Sequence, residues 1–262
     1  MTDMKPEDWW TTSITRIEPG VIEHRGVRVE ELIGTISFVE MIWLMVRGEL
    51  PEPERAELLE AALVASTDHG PQAPSIAIAR MASTCGVAMN NAIASGVNVL
   101  GDVHGGAGEQ CLELLNSLTD AEIDADSDID TEARRLVSGF RARGEHVPGF
   151  GHRFHPRDPR RTPLLQMVEK AVASGFVDGR HLNAGLAIER ALAANRERPV
   201  PMNIDGATAI IYGELGFQPP MARGLFVLSR SVGMLAHVWE ESQSGSRLKG
   251  PMPPSILPTF QQ

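Results

Sequence analysis

Cysteine is scarce in this sequence of 262 residues, which contains only Cys85 and Cys111. Both lie in apolar stretches of helical character, and neither belongs to a spacing typical of metal ligands. Cysteines in such a setting are usually small buried side chains. We therefore expect two buried thiols in a protein of the reducing cytoplasm.

Long hydrophobic runs are also absent. No stretch approaches the roughly 18 uncharged apolar residues of a membrane-spanning helix. The opening "MTDMKPEDWW" is acidic and polar, whereas a secretory signal begins with basic and then apolar residues. We expect a cytoplasmic protein without a membrane partner.

Positive charge is in deficit, with 24 basic against 34 acidic residues and a net charge of −10. Binding to duplex nucleic acid needs a basic face, so no nucleic-acid partner is expected. The charge is uneven, since residues 121–132 are acidic and residues 147–161 are basic. A cationic loop on an anionic protein indicates a small anionic ligand held at one site.

Several catalytic signatures are missing as well. The sequence has no phosphate-binding or dinucleotide-binding glycine loop and no serine nucleophile elbow. His146, His152 and His155 lie close together, but the glycines and the proline around them argue against a helix. No cysteine or glutamate completes a zinc ligand set there. We expect no metal site.

Short extended segments open the sequence, and helices follow. "SITRIEP" and "VIEHRGVRV" alternate apolar and polar residues around Pro19-Gly20, which predicts a small hairpin or two short strands. From residue 37 onward, apolar residues recur at a period near 3.6, which predicts helices. The predicted helical stretches are 37–50, 51–66, 73–100, 109–118, 131–143, 163–175, 180–197, 207–216 and 221–243. The fold class is mainly α with a minor β element.

Three of these segments carry further expectations. Residues 73–100 are rich in alanine, glycine and serine, so we place them at the centre of a helical bundle or at a subunit interface. The stretch 221–243 is apolar on most sides and is expected to be deeply buried. The tail 249–262 is too rich in proline for a helix and is expected to wrap over a surface or a partner.

The stretch "DVHGGAGE" places His104 before two glycines and a predicted helix. Glycines let backbone amides approach a ligand, and the N-terminus of a helix adds a partial positive field. That field would keep His104 neutral, so that it could donate a hydrogen bond to a carbonyl oxygen. A histidine at a tight turn between helices explains the stretch equally well.

The basic stretch "VPGFGHRFHPRDPRR", residues 147–161, combines glycine, histidine and arginine. The planar fork of arginine matches carboxylate or phosphate. The density of these residue types favours binding over a solvated loop. Two other positions have adequate local explanations: Asp205 in "NIDGATA" as a helix N-cap, and His69 in "STDHGPQ" as a favourable charge at a helix C-terminus.

Taken together and in order, these stretches resemble the citrate synthase superfamily. "VHGGAGE" is similar to its His-Gly-Gly-Ala-x-Glu motif, with Gly108 where asparagine is usual. "VPGFGHRFHPRDPR" is similar to its Pro-Gly-aromatic-Gly-His loop with a following Asp-Pro-Arg. "NIDGATAIIYGELGF" and "FVLSRSVGMLAHVWEE" are similar to its Asn-x-Asp segment and to the helix with a substrate arginine. The resemblance runs from about residue 12 to 250.

The resemblance implies a mainly α-helical homodimer that binds an acyl-CoA and a 2-oxo acid, with coenzyme A thioester as substrate and no further cofactor. It implies a large domain of residues 1–106 and 216–262 and a small domain of residues 107–215, which close over the substrates. His104 would hydrogen-bond the thioester carbonyl oxygen, Asp205 would exchange the proton on the adjacent carbon, and His152 would polarise the ketone of oxaloacetate. A carboxylate base and a neutral histidine donor suit such enol chemistry.

Further contacts follow from the resemblance in the same way. Carboxylate-binding arginines would be Arg230 and Arg160, or Arg157 in place of Arg160 because the loop is one residue shorter than in many synthases. His69 would lie near the oxo acid. The coenzyme A adenine would contact Val147, Pro148, Gly149, Phe150 and Gly151.

Departures from the synthases point to a lyase. The sequence is shorter than full-length synthases, and residues 68–70 and the opening segment look more like citryl-CoA lyases and the related module of ATP-citrate lyase. Gly250 precedes Pro251 where synthases carry an arginine that reaches the partner's site, which leaves Arg247 or Lys249 for that role. The leading hypothesis is cleavage of citryl-CoA, or a close 3-hydroxyacyl-CoA analogue, to acetyl-CoA and oxaloacetate, with His152 taking up the hydroxyl proton. The alternatives are a short citrate or 2-methylcitrate synthase and a non-catalytic CoA-binding subunit.

Overall fold

The computed structural model describes residues 5–119, 128–194, 200–250, 253 and 255–261. Most of the acidic stretch 121–132 and part of the tail 249–262 therefore lie outside the described residues. The chain divides into two compact units, Met1–Glu60 and Ala61–Gln262.

A small antiparallel sheet lies in the first unit. Its strands are β1 (Thr15–Glu18), β2 (Val21–His24) and β3 (Val27–Arg28), in the order β1-β2-β3. The predicted hairpin around Pro19-Gly20 is confirmed, but the expectation of two strands misses the third. Arg25 and Gly26 both have positive φ, 51° and 82°, as a two-residue type I′ turn requires. That turn divides the predicted second strand in two.

Helices α1 (Val29–Leu32), α2 (Phe38–Arg47) and α3 (Pro53–Ser66) follow the sheet. Ser37 caps α2 and forms a capping box with Glu40, while Gly48 ends the helix at a φ of 90°. These are the start and stop signals that the sequence offers at this helix.

Among the described residues of the second unit, the regular elements are helices, which confirms the mainly α fold class. Its helices after α3 are α4 (Pro74–Thr84), α5 (Met89–Asn98), α6 (Ala107–Thr119), α7 (Ile129–Arg143), α8 (Arg161–Ala173), α9 (Arg180–Ala193), α10 (Ile204–Glu214) and α11 (Pro219–Gln243). The predicted stretch 73–100 forms two helices, α4 and α5, and each of the others corresponds to one predicted stretch within a few residues.

Helices α4, α5 and α11 enclose one core, in which Ile76, Ala92 and Met234 are fully buried. Helix α5 approaches α4 so closely that a Cβ on Gly96 would lie 2.7 Å from the carbonyl oxygen of Ser75. The expected close backbone approach in the small-residue segment is confirmed. This close contact with α5 fixes the N-terminus of α4 inside the unit.

A second core lies among α6, α9 and α10. Its central side chains have no exposed surface: Leu112, Leu115, Ile188, Ile210 and Ile211. Because α10 is buried along almost its whole length, its first turn is held rigidly, and that turn carries Asp205.

Two burial predictions need correction. Helix α11 buries Leu225, Met234 and Val238, but Val232 and Trp239 on another face are more than half exposed. A single helix turns only one face to its own core, and an apolar sequence does not change that. Cys111 is buried as predicted, whereas Cys85 is exposed, because it is the C-cap residue of α4.

Neither a membrane-spanning helix nor a cluster of metal ligands occurs among the described residues. No described helix is long and apolar enough to cross a bilayer. No group of three or more histidine, cysteine, aspartate or glutamate side chains among the described residues could hold a metal ion.

Candidate active site

A cavity of about 620 Å³ within the second unit brings together six of the predicted site residues. Its walls come from the turn after α3, the segments before α4, α6 and α8, the first turn of α10 and the middle of α11. The predicted residues that line it are His69, His104, His152, Arg160, Asp205 and Arg230. The cavity does not include Arg157, Arg247 or residues 147–151, the other predicted contacts.

His104 is held as a neutral donor. Its Nε2 accepts a hydrogen bond from the backbone N–H of Ser75 at 3.1 Å and lies 3.0 Å from the Ser75 hydroxyl. A neutral imidazole that accepts at Nε2 carries its proton on Nδ1, so Nδ1–H is the donor. Burial, and then the charge of Arg230, lowers the pKa of His104.

The helix that orients His104 is not the one expected. Sequence reasoning assigned the N-terminal field to the helix after the two glycines, α6. The N–H group that binds His104 belongs to Ser75 in the first turn of α4, a pairing of residues 29 apart. Gly105, at a φ of 96°, and the bond from the Gly101 N–H to the His104 carbonyl form the turn that permits it.

His152 is also fixed in one tautomer. Its Nδ1 accepts hydrogen bonds from the backbone N–H groups of Phe154 and His155, each at 3.0 Å. The proton of the neutral ring is therefore on Nε2. Burial lowers the pKa of His152, and the neighbouring His155, His69 and Arg160 add to this against the opposing charge of Asp158.

Asp205 is not the helix cap that its local sequence suggests. The N-cap of α10 is Asn203, whose Oδ1 accepts from the N–H groups of Asp205 and Gly206. Asp205 lies inside the first turn of α10 and is one of the residues that line the cavity. Burial raises the pKa of Asp205, although the charges of Arg160 and Arg230 oppose the shift. A carboxyl group with a raised pKa is suited to exchanging a proton with carbon.

Arg160, and not Arg157, faces the cavity. The carboxylate of Asp158 accepts hydrogen bonds from Arg160 Nε at 2.9 Å and Nη2 at 2.8 Å, which is the bidentate pairing typical of arginine. Arg157 is exposed outside the cavity. Of these two arginines, Arg160 is the one that lines the cavity, and its role as a carboxylate ligand stays a prediction.

Asp158 is a residue that sequence reasoning missed. Besides Arg160, it accepts the N–H of Ile204, the first residue of α10, at 3.1 Å. Although burial alone would raise the pKa of Asp158, its hydrogen bonds from Arg160 and Ile204 lower it to about 2. The signal was present in the Asp-Pro-Arg motif, where only the arginine was given a role.

Arg230 is almost fully buried, with 5% of its surface exposed. Its Nε donates to the carbonyl of Ser66 at 3.2 Å, and its guanidinium lies 4.8 Å from the ring centre of Phe226. These contacts orient the guanidinium toward the cavity that it lines. A buried cation at that place attracts an anionic group of a ligand.

His69 lies on a turn that is held in place by a series of hydrogen-bonded polar side chains. Asp68 accepts the N–H of Gly70 at 2.9 Å and contacts His237 Nε2 at 3.3 Å. Arg80 in turn donates to His237 Nδ1 at 2.8 Å. The His69 ring centre is 5.1 Å from that of His152. Burial lowers the pKa of His69, as do the charges of Arg160 and Arg230.

The glycine loop at residues 147–151 packs onto the N-terminus of α10. Gly149 has a φ of 84°, and a Cβ there would lie 2.5 Å from Cys111 Sγ. The Gly149 and Gly151 carbonyls accept from the N–H and Nδ2 groups of Asn203. Val147 and Phe150 are buried, so ligand contacts from this loop would involve mainly its backbone.

The remaining basic residues lie in different environments. Arg161 pairs with Glu189 on α9, so it serves the packing of the unit. Arg153 lines the cavity. Near the C-terminus, Lys249 is bound to the buried Glu241 at 2.9 Å, whereas Arg247 is exposed. The cavity is also lined by Ser66 and Phe154, which the sequence did not single out, and by His155, which the sequence weighed only as a metal ligand.

The chain is similar in sequence to known citrate synthases. Residues 51–251 match the family model of the citrate synthase C-terminal domain. The citrate synthase of Haloferax volcanii is 30% identical over 207 residues, 78% of this chain and 52% of that protein. The citrate synthase of Mycolicibacterium smegmatis is 29% identical over 216 residues, 82% of this chain and 54% of that protein. The chain spans about half the length of these curated relatives.

The citryl-CoA lyase from Hydrogenobacter thermophilus is similar over almost its whole length. The TM-score is 0.83 at 28% identity, and the match covers 97% of this chain and 96% of that one. The ATP citrate lyase from Methanothrix soehngenii, solved with citrate and coenzyme A, has a TM-score of 0.80 at 19% identity, over 99% of this chain and 43% of that one. At that identity it shows the fold alone. The chain belongs to the citrate synthase family.

Proposed function

We propose that this chain is a citryl-CoA lyase-like enzyme, which cleaves citryl-CoA, or a close 3-hydroxyacyl-CoA analogue, to acetyl-CoA and oxaloacetate. The observation that carries the proposal is the convergence of His104, His152, Asp205, Arg160 and Arg230 on one cavity. The similarity to a citryl-CoA lyase, at a TM-score of 0.83 and 28% identity, supports cleavage.

The thioester half of the substrate is assigned to His104 and Asp205. Cleavage of the carbon–carbon bond leaves an enolate, whose oxygen accepts the Nδ1–H of His104. A neutral donor in a buried site stabilises that charge as it develops. Asp205, with its raised pKa, delivers a proton to the enolate carbon and yields acetyl-CoA.

The oxaloacetate half is assigned to His152 and the arginines. The Nε2–H of His152 hydrogen-bonds the oxygen that becomes the ketone. Arg160 and Arg230 bind carboxylates, and His69 lies beside them. Coenzyme A would approach the backbone of residues 147–151, with no metal or additional cofactor taking part.

The assembly is proposed to be a homodimer in which large and small domains close over the substrates. Exposed apolar side chains recur along one face of α11, at Leu228, Val232, Leu235 and Trp239. A contiguous exposed apolar stripe of this kind marks an interaction surface. A second copy is its proposed occupant, since the family resemblance places a partner residue, here Arg247, in the site. Light scattering of the purified chain would give twice the monomer mass.

Product analysis tests the function. Purified protein is mixed with synthetic citryl-CoA and, separately, with oxaloacetate and several acyl-CoAs. The proposal expects acetyl-CoA and oxaloacetate from citryl-CoA without net release of free coenzyme A. Steady release of free coenzyme A from acetyl-CoA and oxaloacetate would instead establish the short synthase. Turnover that survives Asp205→Ala, or absence of turnover with retained CoA binding, would favour the non-catalytic subunit.

A further inference from the structure

Cleavage of a 3-hydroxyacyl thioester requires a group that accepts the hydroxyl proton. His152, the residue expected to do so, presents Nε2–H to the cavity, because both N–H groups of Phe154 and His155 occupy its Nδ1. A second proton on this ring would have to enter at Nδ1 and displace those two donors. The lowered pKa of His152 agrees with a ring that stays neutral. His152 is thus a hydrogen-bond donor in both directions of the reaction.

The acceptor must come from another side chain at the same place. His155 lines the cavity, and its ring centre is 4.6 Å from that of His152 at an interplanar angle of 37°. Its backbone N–H is one of the two donors to His152, which holds the two rings in a fixed relation. Within the described part of the chain, no hydrogen bond engages either ring nitrogen of His155, so a lone pair is free for a ligand.

The other nearby imidazole is less suited to this task. The ring centre of His69 lies 5.1 Å from that of His152, but burial, and then the charges of Arg160 and Arg230, lowers the pKa of His69 and acts against a proton on its ring. Those same charges suit His69 to a place beside a substrate carboxylate. Asp205 is committed to the carbon next to the thioester.

We propose that His155 is the catalytic base that removes the hydroxyl proton of the 3-hydroxyacyl thioester, while His152 donates a hydrogen bond to the same oxygen. The inference rests on the proposed function and deepens it. The O–H proton passes to His155, and the bond between the hydroxyl carbon and the thioester α-carbon breaks. Its electron pair forms the enolate, which takes a proton from Asp205. His155 then returns its proton to Asp205 through solvent, so protons and electrons balance. In the condensing direction, protonated His155 donates to the new alkoxide.

Two reactions of the intact protein separate this role from the rest of the site. The first is cleavage of citryl-CoA in a single turnover. The second is exchange of the α-protons of acetyl-CoA with deuterated water, in the presence of malate, which has no ketone to attack. Exchange needs Asp205 and His104 but no base for a hydroxyl group.

His155→Ala is expected to lower the cleavage rate by about 100-fold or more, the usual contribution of a positioned base, with exchange within about twofold of wild type. Added imidazole should restore part of the cleavage rate, which a merely structural defect would not allow. His146→Ala is the matched control, because His146 is an exposed histidine of the same segment outside the cavity. Its cleavage rate should equal that of wild type.

Three results would overturn the assignment. If His155→Ala cleaves citryl-CoA at the wild-type rate, solvent or another group takes the proton. Equal loss of cleavage and exchange, without rescue by imidazole, would make His155 structural. If His69→Ala, but not His155→Ala, loses about 100-fold in cleavage rate and is rescued by imidazole, the base is His69. A wild-type protein inactive in cleavage and in condensation would refute the proposed function itself, and this inference with it.

Discussion

The carboxylate of Asp158 accepts the backbone N–H of Ile204 at 3.1 Å and binds the guanidinium of Arg160 through both of its oxygens. One side chain thus fixes a proposed carboxylate-binding arginine and the helix turn that carries Asp205. Asp158 therefore supports both Arg160, proposed for the oxaloacetate half of the substrate, and Asp205, proposed for the thioester half.

Replacement of Asp158 by asparagine should affect stability and catalysis together. The amide cannot pair with Arg160 as a carboxylate does, and loss of one partner from a buried ion pair costs about 3 kcal/mol. A displacement of about 1 Å at a reacting group costs about 100-fold in rate, so we expect kcat/KM to fall by about that factor. Chemical denaturation and steady-state kinetics measure the two effects.

The pH dependence of this variant checks the cause. The folded-state pKa of Asp158, about 2, is lower than the ordinary value of 3.8, so the carboxylate stabilises the folded protein fully above the ordinary value. That contribution is lost as pH falls toward 2. The stability difference between wild type and Asp158→Asn should therefore shrink below pH 4. A difference that stays constant down to pH 2 would contradict the ion-pair explanation.

Asp205→Asn should abolish turnover and raise thermal stability. Burial raises the pKa of Asp205, so its charged form costs folding free energy at neutral pH, and the neutral amide removes that cost. The gain in melting temperature should be largest above the folded-state pKa. It should vanish below the ordinary value, where the carboxyl group is protonated in folded and unfolded chains alike. Differential scanning calorimetry across pH measures this, and a lower melting temperature at neutral pH would count against it.

Gly149→Ala should be far more damaging than Gly144→Ala. Both glycines have positive φ, 84° and 70°, but only at Gly149 would a Cβ clash, at 2.5 Å from Cys111 Sγ and 2.9 Å from Gly206 Cα. Strain alone predicts about 1 kcal/mol for Gly144→Ala, and the added overpacking predicts about 3 kcal/mol for Gly149→Ala. Urea unfolding of both variants tests the comparison. Equal losses would mean that the loop moves off α6 at little cost.

Arg247→Ala and Lys249→Ala form a matched pair for the proposed dimeric site. Lys249 and Arg80 both pair with the buried Glu241 of their own chain, so loss of Lys249 should lower stability and leave KM for citryl-CoA unchanged in the folded protein. Arg247 is exposed. If it binds substrate in the partner's site, Arg247→Ala should lower kcat/KM by about 30-fold or more. Unchanged kinetics in Arg247→Ala would remove it from the site.

The sequence by itself determined the helices and the polar cavity residues with a predicted role in the chemistry. Local signals suffice for both: the capping box at Ser37 and Glu40, the period of the apolar residues, and the order of the glycine-marked motifs. The hairpin turn at Arg25-Gly26 escaped prediction because arginine seldom adopts positive φ.

Only the tertiary structure decided the tautomers, the burial and the hydrogen-bond partners of the site residues. The donor that sets the tautomer of His104 is Ser75, which lies 29 positions away, and the support of the α10 turn is Asp158, 46 positions before Ile204. Hydrogen-bond partners and burial of this kind arise when helices pack, and they set the tautomers and pKa values on which the proposed chemistry depends. The residue types are written in the sequence, but their protonation and direction follow from the contacts that folding creates.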